Sequence, residues 1–270
     1  MPKKYIRVLS IAGSDSGGGA GIQADLKTFS ALHCFGMTAI TALTAQNTCG
    51  VQVIHPLPAE FVTKQIESVL TDIGVDAIKI GMLESEEIIY AVIKAIKNQI
   101  CSVVLDPVMF AKGGAQLISP NAIYIMRDYL FPLATIVTPN IPEAEYFSGV
   151  KINSITDMKS AARKISQSGV KNVLVKGGHA EGEKCIDVLY QSEKDLFTYF
   201  KSKRIDTKNT HGTGCTLSAA IAAELAKGKD IIHAISKSKQ FLFKAIQSGQ
   251  YYTLGQGQGP VNHHYARHWR

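Results

Sequence analysis

The sequence predicts an α/β protein, a mostly parallel sheet packed between two layers of helices. Two observations carry that expectation. Short apolar runs rich in β-branched residues alternate with stretches of helical period, the rhythm of successive strand–helix–strand units. Runs such as Val103-Val104-Leu105 and Val173-Leu174-Val175 are apolar at every position, as central strands are when helices cover both faces. The expected strands are residues 5–12, 38–45, 77–80, 103–105, 135–137 and 172–176. The expected helices are residues 21–32, 60–71, 85–98, 158–167, 214–226 and 230–248. Residues 51–55 and 185–190 break the rhythm and are expected as edge strands or a small β flap. No linker, repeat or low-complexity stretch divides the chain, so residues 1–270 are expected to form a single domain.

Composition narrows the function. An apolar content of 46% and a charged content of 19% fit a soluble globular chain with a substantial core. No apolar run reaches the ~18 residues of a membrane span. Residues 13–17, Gly-Ser-Asp-Ser-Gly, read as a site loop where a signal peptide would need its cleavage site, so a cytoplasmic protein is expected. Cys34, Cys49, Cys101, Cys185 and Cys215 have no paired spacing, which argues for free thiols and against a disulfide framework or a zinc site. The net charge of +7 is spread along the chain with no basic stripe, so nucleic acid is not the expected partner; anionic phosphates suit it better. The histidines at 263, 264 and 268 lack regular ligand spacing and are expected in a surface or interface segment.

Polar or glycine-rich residues follow the strands with some regularity: the loop 13–21, Gln46-Asn47, Gly81-Met82, Asp106-Pro107, Pro139-Asn140 and Gly177-Gly178-His179. In such sheets ligands collect beyond the carboxyl ends of the strands, so these residues are expected to line one site. The loop 13–21 lacks the lysine of a Walker motif and the spacing of a dinucleotide fingerprint, but its glycines let backbone approach a small ligand. Asp25, a turn into the following helix, either points back to that ligand or is a surface residue. Asn140 and Glu143, three apart in a run stiffened by two prolines, Pro139 and Pro142, suit a hydrated Mg²⁺ beside phosphates, and Asp106 has the same logic. Lys176 ends a central strand, where it reaches a nucleotide phosphate or is simply solvated.

The most informative stretch is residues 209–220, Asn-Thr-His-Gly-Thr-Gly-Cys-Thr-Leu-Ser-Ala-Ala, a glycine-broken turn that opens onto a helix. The unpaired N–H groups and partial positive charge of a helix N-terminus make it an anion cradle. Cys215 sits in that cradle, where the dipole is expected to lower its pKa and favour thiolate. Such a cradle with a reactive side chain inside it suggests phosphate transfer.

These blocks, together with residues 11–15, 18–28, 40–48, 79–83, 106–109 and 257–263, resemble in one nearly continuous register the hydroxymethylpyrimidine/phosphomethylpyrimidine kinases of thiamine biosynthesis, in the ribokinase-like superfamily. The resemblance implies a three-layer α/β/α sandwich with a small β flap and a homodimer. It also implies an ATP-dependent kinase that phosphorylates 4-amino-5-hydroxymethyl-2-methylpyrimidine and then its monophosphate. By motif, Gln46 would bind the aminopyrimidine edge, with Gly13, Asp25 and Met82 completing the pocket. Asp106 and Glu143 would organise Mg²⁺, with Asn140 beside them, while Lys176 and Thr210 would meet the ATP phosphates. Gly212, Thr213, Gly214 and Cys215 would stabilise the transferring phosphoryl group. Assistance by a monovalent cation such as K⁺ is left open. Sugar kinases of the superfamily carry an Asp base where this chain has Cys215, so either the thiolate accepts the proton or the anion hole carries most of the catalysis. The rival readings are a pyridoxal kinase and, from another class, a non-catalytic binding protein that has kept the fold.

Overall fold

A computed structural model describes residues 3–109, 118–178 and 183–265; His179 and residues 266–270 of the expected surface tail lie outside them. In chain order the elements are β1 (Arg7–Ala12), α1 (Gly21–Ala31), β2 (Phe35–Ile40), β3 (Ala42–Asn47), β4 (Gly50–Pro56), α2 (Ala59–Ser68), β5 (Ala77–Ile80), α3 (Glu86–Ile96), β6 (Ser102–Leu105) and α4 (Pro120–Ile125). They continue with β7 (Ile136–Val137), α5 (Ile141–Ser148), α6 (Ile155–Ser166), β8 (Asn172–Val175), β9 (Lys184–Gln191), β10 (Leu196–Lys203), α7 (Thr213–Ala226) and α8 (Ile231–Gly249).

One sheet has eight strands in the order β10-β9-β8-β7-β6-β5-β1-β2. The strands from β8 to β2 run parallel, and β9 and β10 form an antiparallel extension at one edge. The register aligns Met37, Leu9, Ile78 and Val103 across four strands, and these pack with Val62, Ile66, Ile88 and Ala161 from α2, α3 and α6. Because side chains alternate faces, Val8, Ala77, Val104 and Leu174 point the other way, onto Phe29, Leu217 and Ile235 of α1, α7 and α8. The result is the expected three layers. α7 is the middle helix of its layer, which explains an Ala- and Leu-rich sequence buried without interruption from Thr216 to Glu224. Among the described residues, no helix is long and apolar enough to cross a membrane.

The structure corrects several expected elements. Residues 38–45 are not one strand. The chain leaves the main sheet at the buried Thr41, whose hydroxyl donates to Met82 O at 2.7 Å, and β3 pairs only with β4 in the small antiparallel flap. Residues 185–190 belong to β9, second from the edge of the main sheet. Strand β10 has no counterpart among the expected elements, because it is largely exposed and ends in three consecutive polar residues, Lys201 to Lys203, so neither alternation nor a continuous apolar run marks it. The short helices α4 and α5 were likewise not foreseen; α5 starts with a capping box in which Asn140 and Glu143 satisfy each other's backbone N–H groups.

Candidate active site

The carboxyl ends of β1, β5, β6 and β8 open into a cavity of about 760 Å³. Its floor is the loop after β1. Asp15 is buried there and accepts hydrogen bonds from the N–H groups of Gly17, Gly19 and Ala20 at 2.8, 3.0 and 2.8 Å. Burial alone would raise its pKa, but His211 and those N–H groups outweigh burial and hold the carboxyl below its ordinary value. His211 Nε2 lies 2.8 Å from Asp15 Oδ2. The glycine loop is therefore a tied scaffold.

That scaffold seats the head of α7. Gly212 takes φ +76°, and a Cβ there would lie 1.8 Å from Gly19 O, so only glycine fits. No side chain caps α7, and the residues of its first turn, Thr213, Gly214 and Cys215, line the cavity. A Cβ on Gly214 would stand 3.5 Å from both Asp106 Oδ2 and Lys176 Nζ, which places the helix head against a buried ion pair. Lys176 Nζ donates to Asp106 Oδ1 at 2.6 Å, and Thr138 Oγ1 to the same oxygen at 3.2 Å. Burial would lower the Lys176 pKa, but Asp106 and Glu143 raise it, so the ammonium stays charged. Glu143 is buried beside this pair. Burial pushes it up to about 7, against Lys176 and with the help of Asp106.

The structure brings together Gly13, Gln46, Met82, Asp106, Asn140 and Glu143 on the walls of this cavity, with Lys176, Thr210 and Gly212 to Cys215 completing them. Gln46 Nε2 stands 3.3 Å from His211 Nε2, and a Cβ on Gly13 would stand 3.4 Å from Met82 Sδ. Two expectations fail. Asp25 neither lines the cavity nor lies on the surface. It is fully buried behind the floor, where Lys79 Nζ donates to its Oδ2 at 2.8 Å and Ser10 Oγ at 2.5 Å. The register explains this: Ser10 lies opposite Lys79 on neighbouring strands, on the face that α1 covers. Cys215 is the second correction. Burial pushes its thiol up to about 11, with Asp25 and Asp106 adding to the rise and Lys79 opposing it, so the thiol is neutral at pH 7.

Five polar residues of the site were missed. Asp15 and His211 lie inside quoted motifs, but their pairing joins loops 196 positions apart. Lys79, Asp187 and Lys239 line the cavity from strands and a helix. Asp187 accepts the Gly177 N–H at 2.9 Å and pairs with Lys239. Their signal was present: a lysine in Ala77-Ile78-Lys79-Ile80 and an aspartate in an apolar strand are unexpected unless each is partnered.

Among the described residues, no group of three or more His, Cys, Asp or Glu side chains could cage a metal. Asp106 and Glu143 beside Lys176 instead fit Mg²⁺ that keeps waters and takes phosphate oxygens.

Comparison with known proteins identifies the family. The model of the family described as phosphomethylpyrimidine kinase matches residues 15–262. The chain is 47% identical to the hydroxymethylpyrimidine/phosphomethylpyrimidine kinase of Rhizobium meliloti over 97% of this chain and 98% of that one. It is 50% identical to the thiamine biosynthesis bifunctional protein ThiED of Geobacter sulfurreducens over 95% of this chain, and spans about half of that relative, 52%. The crystal structure of an ADP complex of Bacillus subtilis pyridoxal kinase superposes with a TM-score of 0.89 at 41% identity, covering 97% of this chain and 99% of that one. Fold and site together define a ribokinase-like small-molecule kinase. The chain belongs to the phosphomethylpyrimidine kinase family.

Proposed function

We propose that the protein uses ATP to phosphorylate the hydroxymethyl group of 4-amino-5-hydroxymethyl-2-methylpyrimidine, and then phosphorylates the monophosphate to the pyrophosphate, for thiamine biosynthesis. The observation that carries this reading is the uncapped, glycine-turned head of α7, facing the Lys176–Asp106 pair in the same cavity that Gln46 lines. The hydroxymethyl oxygen forms the new P–O bond as the bond from the γ-phosphorus to the ADP oxygen breaks, and its proton leaves to phosphate or water. Such a loose transition state needs positioning and charge stabilisation more than a strong base. The N–H groups of Gly214 and Cys215 and the Lys176 ammonium supply that stabilisation, and Thr210 and Asn140 flank the phosphates. Cys215, a neutral thiol, walls the acceptor side and is no base at pH 7. Mg²⁺, held through waters by Asp106 and Glu143, would neutralise phosphate charge.

As proposed, the protein works as one ribokinase-like domain in the cytoplasm, as a homodimer. The exposed Leu43 and Val53 of the flap are apolar surface that such an interface would cover. A second reading, pyridoxal kinase, is favoured by the superposition on the Bacillus subtilis enzyme. The deciding experiment supplies ATP with hydroxymethylpyrimidine and pyridoxine in parallel and reads products by mass spectrometry. Pyrimidine monophosphate followed by pyrophosphate is expected; turnover of pyridoxine alone moves the protein to the second reading, and silence on both overturns the kinase.

A further inference from the structure

We infer that His211, held by Asp15, is a specificity-determining residue that fixes which way the Gln46 amide faces and so selects a heterocycle with an amino group beside a bare ring nitrogen. The inference rests on the reading of the site as a kinase for a hydroxymethyl heterocycle, and it concerns how that substrate is told from others.

The argument is an accounting of donors around one ring nitrogen. Asp15 is ionised, and its Oδ2 already accepts from Gly19 and Ala20, so His211 Nε2, 2.8 Å away, must carry a hydrogen to meet it. A protonated Nε2 has no lone pair for a second donor. Gln46 Nε2 nevertheless stands 3.3 Å from it, so N–H groups face each other in that orientation. The other arm of the amide tells the same story. Thr44 Oγ1 has one hydrogen and gives it to Ser14 O at 2.9 Å, so it faces Gln46 Oε1, at 3.2 Å, as acceptor against acceptor. Turning the amide by 180° relieves both conflicts at once. Oε1 then accepts a share of the His211 N–H, and Nε2 donates to Thr44 Oγ1.

In this orientation the amide keeps a second oxygen lone pair on the His211 side and a second N–H on the Thr44 side. A ligand that bridges both must place a donor beside an acceptor, as an amino group next to a ring nitrogen does. Pyridoxine offers no such pair at its ring nitrogen, because a methylated carbon separates its hydroxyl from that nitrogen. His211 also adjoins Gly212, so the residue that orients substrate recognition is covalently next to the anion cradle.

The test compares kcat/KM for hydroxymethylpyrimidine and pyridoxine in wild type, His211→Phe, Gln46→Ala and the double variant. His211→Phe removes the N–H, and the ratio of the two specificities is expected to fall about tenfold, the worth of one hydrogen bond. The loss should lie in KM for the pyrimidine, with KM for ATP unmoved, and the double variant should match Gln46→Ala alone. An unchanged ratio, equal losses on both heterocycles, or additive effects in the double variant overturn the inference while leaving the kinase reading intact. Wild type that phosphorylates neither heterocycle, or pyridoxine alone, overturns both. Should His211→Phe fail to fold, Thr44→Val removes the other constraint on the amide and is expected to lower the same ratio; no change there overturns the inference equally.

Discussion

A thiol at the head of a helix is pulled two ways, and at Cys215 burial wins. The macrodipole is worth about 0.3–1 kcal/mol in exposed settings, whereas the surrounding protein and the Asp25 and Asp106 carboxylates push the thiol up to about 11. Alkylation of Cys215 by iodoacetamide, followed by peptide mass spectrometry, should therefore accelerate well beyond pH 9; a rate that levels off below pH 8 would show a thiolate instead. Loss of a general base typically costs about 10²–10⁴ in rate, so Cys215→Ser is expected to keep kcat within about tenfold of wild type. Lys176 is different, because in the proposed reaction its ammonium, held by Asp106 beside the head of α7, stabilises the transferring group. Lys176→Met should lower kcat by about a hundredfold or more, the scale of one removed stabiliser of transition-state charge, with KM for the pyrimidine little changed. A variant that raises only that KM would place Lys176 on the acceptor rather than on the transferring group.

At the level of elements, the site is a set of strand ends closed by one glycine junction. Gly212→Ala demands φ +76° of an alanine and drives its Cβ into Gly19 O, so the glycine loop and the head of α7 must part. The expected outcome is a lower melting temperature together with a several-fold rise in KM for ATP; stability loss with unchanged KM would show that the loop relaxes without moving the cradle. This junction was legible in the sequence because its chemistry is local: two glycines, a threonine and an apolar helix in one run of residues. The parallel core was legible for the same reason, since uniformly apolar strands announce two covered faces. What stayed hidden depends on partners distant in sequence. Thr41, where the strand ends, has its hydroxyl bound to Met82 O, 41 positions away, and β10 reads as a loop until β9 lies beside it. Asp25 reads from the sequence as either a ligand contact or a surface residue, because nothing near it in sequence reveals Lys79.

At the scale of the molecule, the last segment of the described chain ties these parts together. Gly257 N–H donates to Thr48 Oγ1 and Gln258 N–H to Thr48 O at the turn of the flap, while His211 N–H donates to Gly259 O at the site. Asn262 N–H reaches Ala245 O on α8, and His263 Nε2 lies 2.9 Å from Thr216 Oγ1 on α7. Flap, cradle and two helices thus share one clamp, and His263, expected in a surface or interface segment, is instead buried within it and titrates with folding. Burial, aided by Lys27 and His264, pushes His263 down to about 4 from an ordinary 6.5. The folded state keeps the ring neutral while the unfolded chain takes up a proton below pH 6.5. The associated stability is therefore complete above pH 6.5 and is lost as pH falls toward 4, about 3 kcal/mol over that span. His263→Gln keeps a hydrogen-bonding side chain but cannot titrate. Denaturant melts between pH 4 and 7 should show wild type losing stability toward acid more steeply than the variant, by roughly that amount. Parallel slopes would mean that the histidine charges in the folded protein without opening the clamp.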